Sequence, residues 1–447
     1  MGKTCYYNIN MNLFYKKTIF LLFAILVFFV PLVFTTATVE SFEFPKMMLI
    51  NFIGVLIIML FLIDKTLSFD GSFNFKIFSK FKFIFPFLVI YIFSTLFSSD
   101  LFTSLWSYYS RFNGGLASVI LFIGLFFVGF FTLDRDDFLK LFILSIFSSL
   151  LVSVYGLLQY YGVLGIPVIH RAYSTIGQPN WLAQYFSMLL PILIYFFTTK
   201  TQKFTRMFYI LLLISYFLLF WCFWLTFSIS GFIGFFISLL FIPSLSELKS
   251  NYKRYLILTS ISLLVIATNF SFFEARLHDV YLDTKNFVSS IGISYASDLS
   301  DLSDLYAEYK VSDPGFIRKE IWLSTINLFL SNPKIFLIGI GPQMFPYEFQ
   351  QFRSEALNYS SEWEYVVNKP HNYYLELLVE IGIFGLGAYV YLLYYIFSKA
   401  PLYLKPSFIG FFITNIFGWP VVTTTLIFWL FASFVCLTYE ERQKQSA

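Results

Sequence analysis

The chain has three histidines, His170, His278 and His371, and one of them stands in a stretch built for chemistry. His371 belongs to Lys369-Pro-His-Asn-Tyr-Tyr-Leu-Glu376, where Pro370 closes a polar segment and Asn372 can cap a helix that starts just after it. An imidazole held at a helix mouth titrates near neutral pH and can take a proton from a hydroxyl, unless it is only a loop histidine without a role. Glu376 and Glu380 follow four residues apart on one helix face. At membrane depth such carboxylates either serve a site or are structural, pairing with an Arg or hydrogen-bonding a neighbouring helix. Arg111, in Tyr109-Ser-Arg-Phe-Asn-Gly-Gly115, and Arg171, in the stretch leading to Asn180, both precede helix starts. A guanidinium there can grip phosphate oxygens through two parallel bonds, or snorkel to lipid headgroups. Metal chemistry is not expected. Asp134 and Asp136 fall on the wrong face, and Asp298, Asp301 and Asp304 read as a solvated face.

The elements that must hold these residues are membrane helices. Of 447 residues, 58% are apolar and 13% charged, against about 25% charged in a soluble domain. This excludes a soluble enzyme, a disordered chain and a nucleic-acid binder. The 62 Phe and 31 Tyr are read as a codon preference of the genome, and no function is drawn from them. Apolar segments recur at about 18–37, 45–63, 83–97, 115–133, 138–161, 181–198, 206–227, 230–246, 254–270, 373–398, 403–418 and 420–438. The fold expected is all-α and polytopic, with about twelve transmembrane helices. The first run, Thr18 to Ala37, is too long for a signal-peptide core. Cys5, Cys222 and Cys436 form no pair in a polar loop, so no disulfide framework is expected.

Placing both termini in the cytoplasm puts 19 Lys and Arg in the inner segments and three, Lys46, Arg111 and Arg171, in the short outer loops. The chain then divides into helices 1–9 over 1–270, a large outer loop over 271–370, and helices 10–12 with a short tail over 371–447. That loop, with 13 acidic and 8 basic residues, is the one large polar region. Within it Phe316 to Leu330 sets Ile317, Ile321, Trp322, Leu328 and Phe329 on one side of a helix. This helix is either an interfacial float or a lid carrying Arg318 to a membrane-level site. The inner loops contain no Gly-rich phosphate loop, so neither a nucleotide nor a nucleic acid is an expected partner.

Taken in order, several stretches resemble the O-antigen ligase and O-antigen polymerase family of membrane glycosyltransferases. They are Phe93-Ser-Thr-Leu-Phe-Ser98 with Ser104-Leu-Trp, Arg111 and Asn113-Gly114; Tyr155-Gly-Leu-Leu-Gln-Tyr-Tyr-Gly162 with Ser174-Thr-Ile-Gly-Gln-Pro-Asn-Trp-Leu-Ala183; Arg318 with Ile321-Trp322, Asn332-Pro-Lys334 and Gly339-Ile-Gly-Pro-Gln-Met-Phe345; and His371-Asn372 with Leu375, Glu380, Gly382 and Gly385. One departure stands out. Where members often carry Thr-x-Ser-Arg-Gly, this chain has Leu225-Thr-Phe-Ser-Ile-Ser-Gly231 without the Arg, leaving Arg171 or Arg111 to replace it.

The resemblance implies a bacterial inner-membrane enzyme that works on its extracytoplasmic face. It would move a glycan from undecaprenyl diphosphate to an acceptor hydroxyl, on lipid A core or similar, with inversion and without metal or cofactor. Its partners would be the lipid-linked glycan, a glycan or lipid acceptor and membrane lipids. His371 would be the catalytic base, Arg171, Arg318 and Arg111 the diphosphate ligands, and Asn372, Glu376, Glu380 and Asn180 supporting residues. A neutral imidazole is required, so activity is expected to fall as pH drops through about 6.5. Alternatives are a polysaccharide polymerase or protein O-oligosaccharyltransferase with the same donor, and a twelve-helix transporter. Matching halves with paired broken helices, the mark of many carriers, are not evident in the sequence.

Overall fold

The computed structural model describes residues 2–67, 80–108, 110–165, 171–199, 205–241, 245–270, 314–360, 362–363 and 365–446. His170, His278 and the Asp298, Asp301, Asp304 series fall outside them.

Among these residues there are sixteen α-helices: α1 (Gly2–Phe29), α2 (Glu43–Leu67), α3 (Phe85–Leu96), α4 (Leu101–Trp106), α5 (Leu116–Thr132), α6 (Arg135–Tyr160), α7 (Pro179–Thr198), α8 (Arg206–Trp224), α9 (Ile229–Leu239), α10 (Leu245–Thr268), α11 (Pro314–Leu330), α12 (Pro333–Ile338), α13 (Phe345–Glu348), α14 (Tyr373–Lys399), α15 (Lys405–Thr414) and α16 (Val422–Ser446). Each of the twelve apolar segments contributes a helix. Six of them, α2, α6, α7, α8, α14 and α16, are long and apolar enough to cross a membrane, and shorter apolar helices accompany them. The first helix differs from expectation. It ends at Phe29, eight residues short of Ala37, because Pro31 follows and has no N–H to continue the ladder.

Large apolar side chains line the outside of the bundle. Phe52, Met207, Leu240 and Tyr394 are each more than 60% exposed, a surface that only lipid can solvate. α7 lies at the centre, against α6, α8, α9, α15 and α16. Small hydroxyls bind the helices internally. Ser148 donates to the Phe28 carbonyl (2.7 Å), Ser433 to the Phe126 carbonyl (3.0 Å), and Gln184 ties α7 to Thr414, Asn415 and Thr424.

The decisive local feature is a break in α14. Gly382 has φ +73°, so the helical ladder stops there and the carbonyls before it lose their intrahelical donors. The segment after α12 supplies replacements. Ile340 N–H donates to Val379 O (2.9 Å), Gly341 N–H to Glu380 O (2.9 Å) and Ser94 Oγ to Glu380 O (2.7 Å). The fit is backbone against backbone: a Cβ on Gly382 would overlap the Leu337 carbonyl, and one on Gly339 the Glu380 carbonyl. Gly382 thus packs against the last turn of α12, a close approach of helix to helix. Gly385 faces its own Ile381, and Gly387 meets open space.

α11 is no float. Ile317, Ile321, Leu328 and Phe329 are buried against Ile340, Phe345, Phe349 and Val379, in a small core of their own over the upper half of α14.

Candidate active site at the mouth of the broken helix

His371 sits where the 366–370 strand-like approach turns into α14. Its backbone is left-handed at φ +55°, a conformation that costs a non-glycine residue about 1–3 kcal/mol and must be held from outside. It is held on both sides. Before it, the Trp322 indole N–H on α11 donates to the Pro370 carbonyl (2.8 Å). After it, the Asn372 side chain caps α14, accepting from Tyr374 N–H (3.0 Å) and Leu375 N–H (3.2 Å), and Tyr373 N–H donates to Asn415 O (2.9 Å).

The imidazole rests against Trp419, ring centroids 5.2 Å apart. The Arg111 guanidinium lies over both Trp181 (5.5 Å) and Trp419 (5.6 Å), and one of its Nη atoms is buried without a hydrogen-bond partner. A desolvated guanidinium donor without an acceptor is a costly group and a strong anion ligand. Burial holds the His371 pKa down to about 4, and the charges of Arg318 and Arg111 add to the effect. Three expected site residues thus converge. Asn180 shares the His371 cleft with Trp181, Ser230 and Trp419.

Arg171 lies against the stretch whose missing Arg it was a candidate to replace. Its Nε donates to Thr226 O (2.8 Å), and one Nη reaches Asn180 Oδ1 (3.0 Å) and Phe227 O (3.5 Å). These bonds carry its guanidinium to the 225–231 stretch that lacks the Arg.

Behind Trp419 lies a cavity of about 80 Å³, room for several waters, walled in part by Glu43, Tyr91, Arg111, Lys369, Glu376 and Glu380. Glu376 is ion-paired with Lys369 through one carboxylate oxygen, and its other oxygen is buried without a hydrogen-bond partner. Glu380 is buried, with one carboxylate oxygen unpartnered. Glu43 and Lys46 were not foreseen in this setting. Glu43 accepts from Val422 N–H (2.8 Å). Lys46, read above as a loop cation, is fully buried and donates to Phe42 O (3.0 Å) and Thr175 O (2.7 Å). A glutamate and a lysine three residues apart at the start of an apolar run were the available signal. Asp134 is a helix cap: it accepts from Asp137 N–H (2.9 Å) and pairs with Lys16 (2.8 Å).

Helices long and apolar enough to span, a lipid-solvated outside and a buried polar site at one end of the bundle define a multi-pass membrane protein. Residues 214–390, from within α8 to within α14, match the family model described as O-antigen ligase. The matched stretch, similar to the O-antigen ligase family, contains Arg318, Trp322, His371, Asn372, Glu376 and Glu380. Arg111, Arg171 and Asn180 precede the matched region and reach the site through the fold. No curated protein matches the chain.

Proposed function

We propose that the protein transfers a glycan from a lipid diphosphate, of the undecaprenyl type, to an acceptor hydroxyl, with inversion and without metal, on the extracytoplasmic face of a bacterial inner membrane. The observation that carries the reading is the clustering of His371 and Arg111 on the two faces that Trp419 and Trp181 offer at one end of the bundle, with the Arg318 charge near enough to lower the His371 pKa. In the proposed step the acceptor oxygen bonds to the anomeric carbon as the bond from that carbon to the diphosphate oxygen breaks. The hydroxyl proton passes to the imidazole. The lipid diphosphate departs as an anion, and its charge is taken up by Arg111 and Arg318, with Arg171 fixing the adjoining Thr226–Phe227 loop and adding its charge to that mouth. Asn180 positions Arg171, Asn372 fixes the helix start under His371, and the Lys369–Glu376 pair with Glu380 seats the chain on either side of it.

The same donor chemistry serves an acceptor that is lipid A core, a growing polysaccharide or a protein hydroxyl, so the test is product identity. Purified protein is incubated with lipid-linked glycan and each acceptor, and the product is identified by mass. One coupled product in wild type, reduced about 10²–10⁴-fold in His371→Ala, is the expected result for loss of a positioned base. Near wild-type transfer by His371→Ala on a verified donor would remove the base from the mechanism. Movement of the glycan across proteoliposomes with no covalent product would make the protein a transporter.

A further inference from the structure

We infer that Trp322 is the positioning residue for His371, acting through the carbonyl of Pro370, and that the docking of α11 is what sets the imidazole in place. This rests on the proposed role of His371. A residue at φ +55° without glycine's freedom returns to the right-handed or extended region unless its neighbours prevent it. On the C-terminal side the Asn372 cap and the Tyr373–Asn415 bond fix the chain to the bundle. On the N-terminal side the bond from the Trp322 indole to Pro370 O joins the residue preceding His371 to α11. Proline has no N–H, so the carbonyl is the only backbone handle that position offers.

Trp322 is suited to this role. It is only half-buried, so packing alone does not explain an aromatic of this size there, and its one polar atom is spent on that carbonyl. Ile321 beside it is fully buried in the α11 core and orients the helix. Arg318 lies one turn earlier on the same helix, so Trp322 and Arg318 share a face. Docking of one element therefore delivers a guanidinium to His371 and latches the imidazole's backbone together. If the latch is released while α11 still folds, His371 should turn away from Arg111, Arg318 and Trp419.

The test compares Trp322→Phe, which keeps the ring packing and removes the N–H, with Trp322→His, which keeps an N–H donor, and with His371→Ala. All are assayed per folded protein in nanodiscs with lipid-linked glycan. Trp322→Phe is expected to lower kcat at least tenfold with donor KM within about twofold. It should also move the acid limb of kcat/KM upward, toward the ordinary histidine range, as the imidazole leaves its cationic surroundings. Trp322→His should recover part of kcat. A Trp322→Phe enzyme with wild-type kcat and an unmoved acid limb would overturn the inference. So would a loss shared equally by Phe and His with both limbs unmoved, because that pattern is packing alone. If His371→Ala is itself fully active, the failure belongs to the proposed base and not to the latch.

Discussion

His371 is a weaker base than an ordinary histidine, because burial and two arginines all oppose its protonated form. The expected acid limb near 6.5 therefore shifts. The base must be neutral, so activity is lost as pH falls through its pKa, and for the free enzyme that pKa is about 4. A bound diphosphate would neutralise Arg111 and Arg318 and remove part of what holds the value down. The limb of kcat/KM, which reports the free enzyme, is expected near 4, and the limb of kcat, which reports the complex, at higher pH. A pH–rate series on both parameters checks this, and a kcat limb at or below the kcat/KM limb would contradict it. Arg111 invites a second measurement. Lysine keeps the charge but loses the fork and the flat face that lies over Trp181 and Trp419. Arg111→Lys should cost about 10- to 100-fold in kcat/KM, the worth of one charge-assisted hydrogen bond. Wild-type kcat/KM in Arg111→Lys would exclude it from the donor site. His371, Asn372 and Arg318 could be read from the sequence because a short local pattern carries each. The sequence marked Glu43 and Lys46 only as charges at the start of an apolar run, and their partners, Val422 N–H for Glu43 and Thr175 O for Lys46, come from distant parts of the chain.

At the scale of elements, the break in α14 governs the site, since the freed carbonyls of Val379 and Glu380 dock the 337–341 segment, and α11 packs on the core that this segment completes. Gly382→Ala should displace the segment. The left-handed backbone alone costs about 1–2 kcal/mol, and the added methyl overlaps the Leu337 carbonyl. A lower thermal midpoint in detergent together with lost transfer is expected, and an unchanged midpoint would show that the contact is dispensable. The sequence made the helices legible through their apolar runs, and the face of α11 through the spacing of Ile317, Ile321 and Leu328. The interruption was not legible, because the apolar run continues through Gly382 without a proline or a polar cluster to mark it. A glycine there reads equally as a place for helix contact. Arg171 was legible only as a candidate for the missing Arg, and the fold makes its contact with Thr226, 55 residues away in the chain.

For the whole molecule, the remaining matter is which way it faces. The 19-to-3 basic asymmetry strengthens once Lys46 is removed from the outer loops, because it is buried in α2 and solvates nothing. The basic residues assigned to the inner side also meet one another's partners at one end of the bundle. Lys16 within α1 pairs with Asp134 at the start of α6, Lys80 ahead of α3 pairs with Glu440 on α16, and Arg442 on α16 donates to Lys399 O (2.8 Å) at the end of α14. A shared face for residues so far apart in sequence is what a consistent topology requires, and the proposed orientation then puts His371, at the opposite end of α14 from Lys399, on the outer side. Single cysteines test this in a Cys5→Ser background, since Cys222 and Cys436 are buried and shielded from a polar reagent. Asn358→Cys, on the exposed rim of the 345–366 segment, should react with a membrane-impermeant maleimide in intact spheroplasts. Lys444→Cys, at the exposed end of α16, should react only after permeabilisation. The reverse pattern would turn the arginines and His371 toward the cytoplasm, where a lipid-linked glycan displayed on the outer leaflet could not reach them.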